Sequence, residues 1–382
     1  MGLLMKVLWL TNVPSPYRVD FFNELGKNCD LTVVFEKKTS DERDVSWQTY
    51  SIRNFNGVFL KGISINTDTA ICLGITRIIR KDNYDFIVVT DISSPTGIMA
   101  VSYLRRHKIP YWIEGDGGVA KSGKGIKQKL KKYVISGADG CFSTSRLHDE
   151  YYFAYGATPE KIHRYPFTSI SEKDIKEADA SLSIGREFYK GKLGMSEPLI
   201  VLSVGRFSYE KGYGKGFDYL MKIAKDMGSS YGFYIVGDEP TEEFLTWKKE
   251  QCLDNVHFVG FMGKKELADY YLASDCFILL TKGEAWGLVI NEAMLFSLPV
   301  ITTSKCVAGT ELVENGINGY LVSTDNLSEV EKTIVVATEN NSWGLSGHNK
   351  IQSYTIEQMV RVHISVFTEA QAKKNNGNTV DG

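Results

Sequence analysis

The chain is short of clustered cysteine. Cys29, Cys72, Cys141, Cys252, Cys276 and Cys306 are scattered through 382 residues without a CxxC pair. That spacing offers neither a zinc site nor a disulfide framework, and it fits a reducing compartment. Long hydrophobic runs are missing too: no stretch approaches the roughly 18 apolar residues of a spanning helix. The opening "MGLLMKVLWLTN" is too short for a signal peptide and lacks a small-residue cleavage site. A cytoplasmic chain is therefore expected. Charge of one sign is not in excess either, since 44 Lys and Arg face 46 Asp and Glu for a net charge of -2. Nothing global draws the protein to nucleic acid, so charge arguments must be local.

What is present is alternation. Runs such as "KVLWL", "LTVVF", "DFIVVT", "IPYWIE" and "DGCFS" read as strands, and most are followed by a helical pattern. The second half repeats the scheme with "LIVLSV", "GFYIVG", "VHFVG", "DCFILL", "LPVITT" and "NGYLV". Strands alternating with crossover helices predict an α/β fold of parallel, doubly wound sheets, and the length favours two such domains. Residues 168–197 are polar and poor in strand signals, which puts the boundary near 195. The domains expected are 1–195 and 196–353, followed by a last helix over 354–370 and a disordered polar tail over 371–382.

Ligands of open α/β sheets bind beyond the carboxyl ends of the strands. In "VLSVGRFSYEKGYGKGFDYL" a strand runs into Gly205, Arg206 and Lys211, a planar fork and a mobile charge suited to a diphosphate, with glycines that admit close approach. A solvated surface loop is the plain alternative. In "TKGEAWGLVINEAMLF" the backbone near Gly287 and Leu288 should open a helix whose N-terminus receives negative charge. Glu284 would accept hydrogen bonds from sugar hydroxyls, and Glu292 from a ribose. Either glutamate alone reads more readily as a surface acid, yet Glu292 stands in an otherwise apolar helix where an unpartnered carboxylate is costly.

The EX7E pair of Glu284 and Glu292, "SVGRFSYEKG", "IVGD" at Gly237 and Asp238, and "VAGTELVENGINGYLV" together resemble the retaining GT-B glycosyltransferases of family 4. The resemblance covers nearly the whole chain and is strongest over 196–323. It implies two Rossmann-like domains facing across a cleft. The first would bind the acceptor and the second a nucleotide-sugar donor, with the last helix crossing back to the first domain. Arg206 and Lys211 would contact the diphosphate, Glu284 the sugar and Glu292 the ribose. Gly205, Ala285, Trp286, Gly287 and Leu288 complete the donor set, and Phe261 would meet the base, although a core aromatic is the commoner role for one Phe. Transfer would need no metal or other cofactor and would retain anomeric configuration, with a donor phosphate oxygen taking the acceptor proton.

The first domain departs from the family pattern. In place of a glycine-rich loop stands "TNVPSPYRVDFFNEL", where Tyr17 and Arg18 open a helix. Arg18 is placed to reach a donor or acceptor phosphate, or to pair with an acid such as Asp20 or Glu24. In place of a histidine near the donor sugar stands "YWIEGDGG", which offers Glu114 or Asp116 to orient an acceptor or to structure the loop. "KSGKGIKQKLKKYVISG" interleaves Lys124, Lys127 and Lys131 with an apolar face of Ile126, Leu130, Tyr133 and Val134. It suits an anionic membrane surface, or a helix packed on the sheet with solvated lysines. The reading is a bacterial surface-polysaccharide glycosyltransferase. It would use a UDP-sugar, with GDP-mannose as the second choice, and a glycan or lipid-linked acceptor. A nucleotide-sugar epimerase and a non-catalytic sugar-nucleotide-binding scaffold are the alternatives.

Overall fold

Pro16 opens the first helix, Pro16–Leu25, where its fixed φ suits the first turn and its missing N–H costs nothing. Ser94 caps Pro95–Arg106 by accepting from Gly97 N–H at 2.8 Å. Ser171 and Asp174 close a reciprocal capping box on Glu172–Leu182. The computed structural model describes residues 4–38, 51–66, 68–118, 120 and 125–378.

Fifteen strands form among those residues: β1 (Lys6–Thr11), β2 (Asp30–Phe35), β3 (Asn56–Phe59), β4 (Ile63–Ser64), β5 (Ala70–Ile71), β6 (Phe86–Val89), β7 (Trp112–Glu114), β8 (Gly140–Ser143), β9 (Ile162–Arg164), β10 (Leu199–Val204), β11 (Tyr231–Val236), β12 (Val256–Val259), β13 (Cys276–Leu279), β14 (Val300–Thr303) and β15 (Gly319–Val322). One sheet runs β3-β2-β1-β6-β7-β8-β9 and the other β12-β11-β10-β13-β14-β15, while β4 and β5 form a separate hairpin. Every pairing in the two large sheets is parallel. Each sheet reverses its strand order beside its first strand, at β1/β6 and at β10/β13, and those reversals are where crevices form in such sheets.

The chain divides into two compact units, residues 1–168 with 356–382, and 169–355. The division falls at Thr168 and not near 195. Residues 169–195 join the second unit because Tyr189, with Leu182, Leu193 and Met195, packs on Leu272, Ala273 and Phe296. Lys190 and Arg186 also both pair with buried Asp275, the former at 3.1 Å. In the first unit one core gathers Leu8, Val89, Val101, Leu104, Ile113 and Val134. In the second, Phe207, Phe217, Leu220, Phe233, Ile278 and Ile301 do the same.

The final helix is Ile356–Asn378, so residues 371–378 are helical and not an irregular tail, and 379–382 lie outside the described residues. This helix packs on Pro16–Leu25 within the first unit. His363 is fully buried there, with its ring 4.0 Å from that of Phe142 and Nδ1 2.7 Å from the Met359 carbonyl oxygen. Burial holds its imidazole neutral, at a pKa of about 3.

Candidate functional site

In the second unit the loops leaving β10 and β13 meet at the strand-order reversal. After β10 the backbone of Gly205 bonds to Val236 at 2.9 Å, and a side chain at Gly237 would lie 1.8 Å from the Gly205 carbonyl oxygen. Only glycine fits there. Asp238 accepts from the N–H groups of Phe207 and of Ser208, the latter at 3.0 Å, so its carboxylate fixes the shape of the loop. Arg206 and Lys211 are exposed on it. Glu210 and Lys211 both hold left-handed φ values, 49° and 54°, a strain that concentrates at functional loops.

The β13 loop is tied to this one. Thr281 Oγ1 and Lys282 N–H donate to the Gly214 carbonyl at 3.0 and 2.9 Å. Glu284 forms a parallel bridge to Cys306, and its N–H bonds the Lys305 carbonyl at 3.0 Å. Gly287, at φ 102°, caps the helix Leu288–Leu295, and a side chain there would strike Cys306 Sγ at 2.8 Å. The first helical N–H groups therefore open beside Glu284, whose Cγ lies 3.3 Å from that same point.

Lys215 joins this arrangement unforeseen. Its ammonium is ion-paired with Glu284, and the two side chains are 14% and 23% exposed. Its stem passes Gly205, whose added Cβ would touch Lys215 Cδ at 3.1 Å, and its charge lies 5.3 Å from the Tyr209 ring centroid. The loop after β10 carries two Lys-Gly pairs, 211–212 and 215–216, and only the second directly precedes the helix Phe217–Met227. That position was the available signal. Lys211 projects from the tip of the loop, and the cation brought to Glu284 is Lys215.

Glu292 has the partners that its apolar helix requires. Tyr271 donates its hydroxyl at 2.9 Å and Ser169 at 3.5 Å. Burial pushes the Glu292 carboxyl above its usual range, and these hydroxyls pull it back. Trp286 is 3% exposed and donates its indole N–H to Asn291 at 2.8 Å, so its ring builds the loop from behind. Ala285 is exposed and Leu288 partly so. Phe261 is 45% exposed just beyond edge strand β12, so it is not a core aromatic.

In the first unit a cavity of about 390 Å³ opens at the β1/β6 reversal, with Asn12, Asp91, Asp116, Lys131, His148 and Tyr151 among its lining. Tyr17, Arg18, Glu114 and Asp116 all line it and are mutually bonded. Arg18 is 3% exposed and donates to both Glu114 oxygens at 2.9 and 2.8 Å, and it also pairs with Asp116. Tyr17 donates to Asp116 at 2.7 Å. Arg18 therefore pairs with acids far along the chain, whereas Glu24 pairs with Lys27. The end of β7 and the loop after it bring two carboxylates to the Arg18 guanidinium. Asp116, whose side chain is 36% exposed, is the member that reaches the cavity most openly.

The basic helix spans Ile126–Ser136 and buries Val134 and Ile135. Its expected apolar face is only partly covered: Ile126 is 85% and Tyr133 40% exposed. Lys127 is exposed, while the Lys131 ammonium sits 5.0 and 5.5 Å from the Tyr151 and Tyr155 ring centroids, turned from the outer surface by two aromatic faces. Lys124 lies outside the described residues. No described helix is long and apolar enough to cross a membrane. Among the described residues no group of three or more His, Cys, Asp or Glu side chains could hold a metal ion.

Comparison with known proteins bears on both units. Residues 185–356 match the family model "Glycosyl transferases group 1". An uncharacterized glycosyltransferase of Haemophilus influenzae is 24% identical over 348 residues, 80% of this chain and 97% of that one. An uncharacterized 41.2 kDa protein in the cps region of Klebsiella pneumoniae is 34% identical over 135 residues, 35% of each chain. The lipopolysaccharide glucosyltransferase WaaG of Escherichia coli is 27% identical over 154 residues, 40% of each chain. The matches to these last two thus span well under half of their length. Among solved structures, Anabaena Alr3699/HepE in complex with UDP aligns with a TM-score of 0.74 at 16% identity, over 96% of this chain and 100% of that one. The two parallel sheets match GT-B glycosyltransferase structures, and the similarity to the glycosyl transferases group 1 family lies in residues 185–356.

Proposed function

We propose that the protein is a retaining glycosyltransferase of the family 4 type that moves a sugar from a nucleotide diphosphate donor to a glycan or lipid-linked acceptor. The observation that carries this reading is the Lys215–Glu284 pair at the β10/β13 reversal, beside the helix that starts after Gly287. An anionic diphosphate would take the N–H groups of that helix together with Arg206 and Lys215, with Lys211 closing from the loop tip. Glu284 would be freed from Lys215 to hold hydroxyls of the sugar, and Glu292 would bond the ribose.

As the bond from the anomeric carbon to the diphosphate oxygen breaks, charge grows on the leaving group. Fixed cations and helix N–H groups stabilise it with no need for a divalent ion. The acceptor oxygen forms the new bond from the same face, and its proton passes to a phosphate oxygen of the leaving group. The aqueous cavity of the first unit, with Asp116 and Asp91, is the candidate acceptor side. A UDP-sugar is the favoured donor, supported by the UDP-bound HepE of the same fold. A surface-polysaccharide setting is supported by WaaG and the cps-region relative. The helix Ile126–Ser136, with exposed Ile126, Lys127 and Lys132, would lie against an anionic inner membrane surface.

The test is release of nucleoside diphosphate from UDP-, GDP-, ADP- and dTDP-sugars in EDTA, with acceptor extracts, followed by NMR of the product's anomeric configuration. One donor class consumed with retention supports the proposal. An inverted product contradicts the mechanism. Epimerised donor without acceptor would mark an epimerase, and binding with no turnover a scaffold.

A further inference from the structure

The hairpin of β4 and β5 has two unlike faces. Ile63 pairs directly with Ile71, and Ile65 N–H bonds the Thr69 carbonyl at 3.0 Å. Alternation then puts Lys61, Ile63 and Ile65 on one face with Ile71 and Leu73. The opposite face carries Ala70 and Cys72, 2% and 0% exposed. It is fastened down: Thr96 Oγ1 donates to the Ala70 carbonyl at 2.6 Å and accepts from Cys72 N–H at 3.0 Å, and Glu36 accepts from Ala70 N–H at 3.1 Å. The free face is aliphatic nonetheless, with Ile63 74%, Ile65 51%, Ile71 38% and Leu73 74% exposed.

We infer that this face inserts into the interfacial layer of an anionic lipid surface. The exposed side chains are aliphatic and the charge on their face is Lys61, while Lys37 holds its ammonium at the turn by donating to the Asn66 carbonyl at 3.1 Å. Aliphatic tips beside the Lys61 ammonium match acyl chains beneath anionic headgroups. Four such side chains fall well short of the roughly 800 Å² per partner that a stable protein interface covers. The helix Pro95–Arg106 packs against both β5 and the helix Ile126–Ser136. The hairpin and exposed Ile126 both follow strand carboxyl ends, so they flank the same edge of the first sheet. The inference extends the proposed membrane contact from that basic helix to a second, apolar element, and it does not depend on the donor chemistry.

The experiment is co-sedimentation of the full chain with phosphatidylcholine vesicles, with and without phosphatidylglycerol, for the wild type and for Ile63→Ser/Leu73→Ser. The wild type should pellet with the anionic vesicles, and the double variant should lose about tenfold or more of its partition coefficient. Its melting temperature and its UDP-induced thermal shift should stay unchanged, which separates failure at this surface from failure of the donor site. Equal partitioning of the two proteins would overturn the inference, as would a wild type that binds no vesicle. A wild-type dimer that the double variant converts to monomer would assign the face to a second copy and overturn it too.

Discussion

Tyr271 donates its hydroxyl to Glu292 Oε2 at 2.9 Å, from a ring that is 1% exposed. A carboxylate inside an apolar helix is thus held in one orientation by a rigid donor, leaving the rest of its lone pairs for a ligand. Replacing Glu292 by Ala should weaken nucleoside diphosphate binding by about ten- to a hundredfold, the scale of one lost charge-assisted hydrogen bond. Isothermal titration with UDP checks this. Unchanged affinity would remove Glu292 from the ribose role.

The two lysines of the β10 loop should separate. Lys215→Ala should lower turnover by about a hundredfold or more, because it removes a fixed charge from the developing diphosphate. Lys211→Ala, at the exposed tip, should cost less. A kcat comparison under saturating donor decides between them, and a larger loss in Lys211→Ala would restore the assignment suggested by the first Lys-Gly pair.

What the sequence made legible follows burial. Interior strands such as β1, β10 and β13 announce themselves as β-branched and aromatic runs, since both their faces are covered. The edge strands β3 and β9, Asn56–Phe59 and Ile162–Arg164, carry too few apolar residues to stand out and are only partly buried. Glu284 and Glu292 were readable because both lie on one short segment at a strand-to-helix turn. The partners of Arg18 were not, because Glu114 is 96 residues away and only sheet order joins them. The same holds for residues 169–195, whose polar composition suggests a linker while Tyr189 and Lys190 bind them to the second unit.

Arg18 should matter first to stability. Arg18→Met leaves Glu114 buried without its cation, at a cost of about 3–5 kcal/mol. Arg18→Met/Glu114→Leu should regain most of that. Urea midpoints of the single and double variants test it, and a single variant as stable as the wild type would contradict the burial of the pair.

Glu36 should give the protein a pH-dependent weakness. Burial pushes its carboxyl from 4.5 up to about 7, opposed by the Ser94 hydroxyl and the Ala70 N–H. The folded state therefore binds this proton more tightly than the unfolded chain does. Its contribution to stability is fully present below 4.5 and is lost as pH rises to about 7. Glu36→Gln should match the wild type at acid pH and exceed it at pH 8 by on the order of 2–3 kcal/mol. Chemical denaturation of both proteins across that range measures the difference, and a constant offset would contradict it.

The central claim is a donor site built from the loops after β10 and β13. Titration of UDP in EDTA, on the wild type and on Lys215→Ala with matched melting temperatures, tests it most directly. The account predicts saturable binding to the wild type that weakens tenfold or more in the variant. A folded wild type that binds neither UDP nor any other nucleoside diphosphate would contradict it.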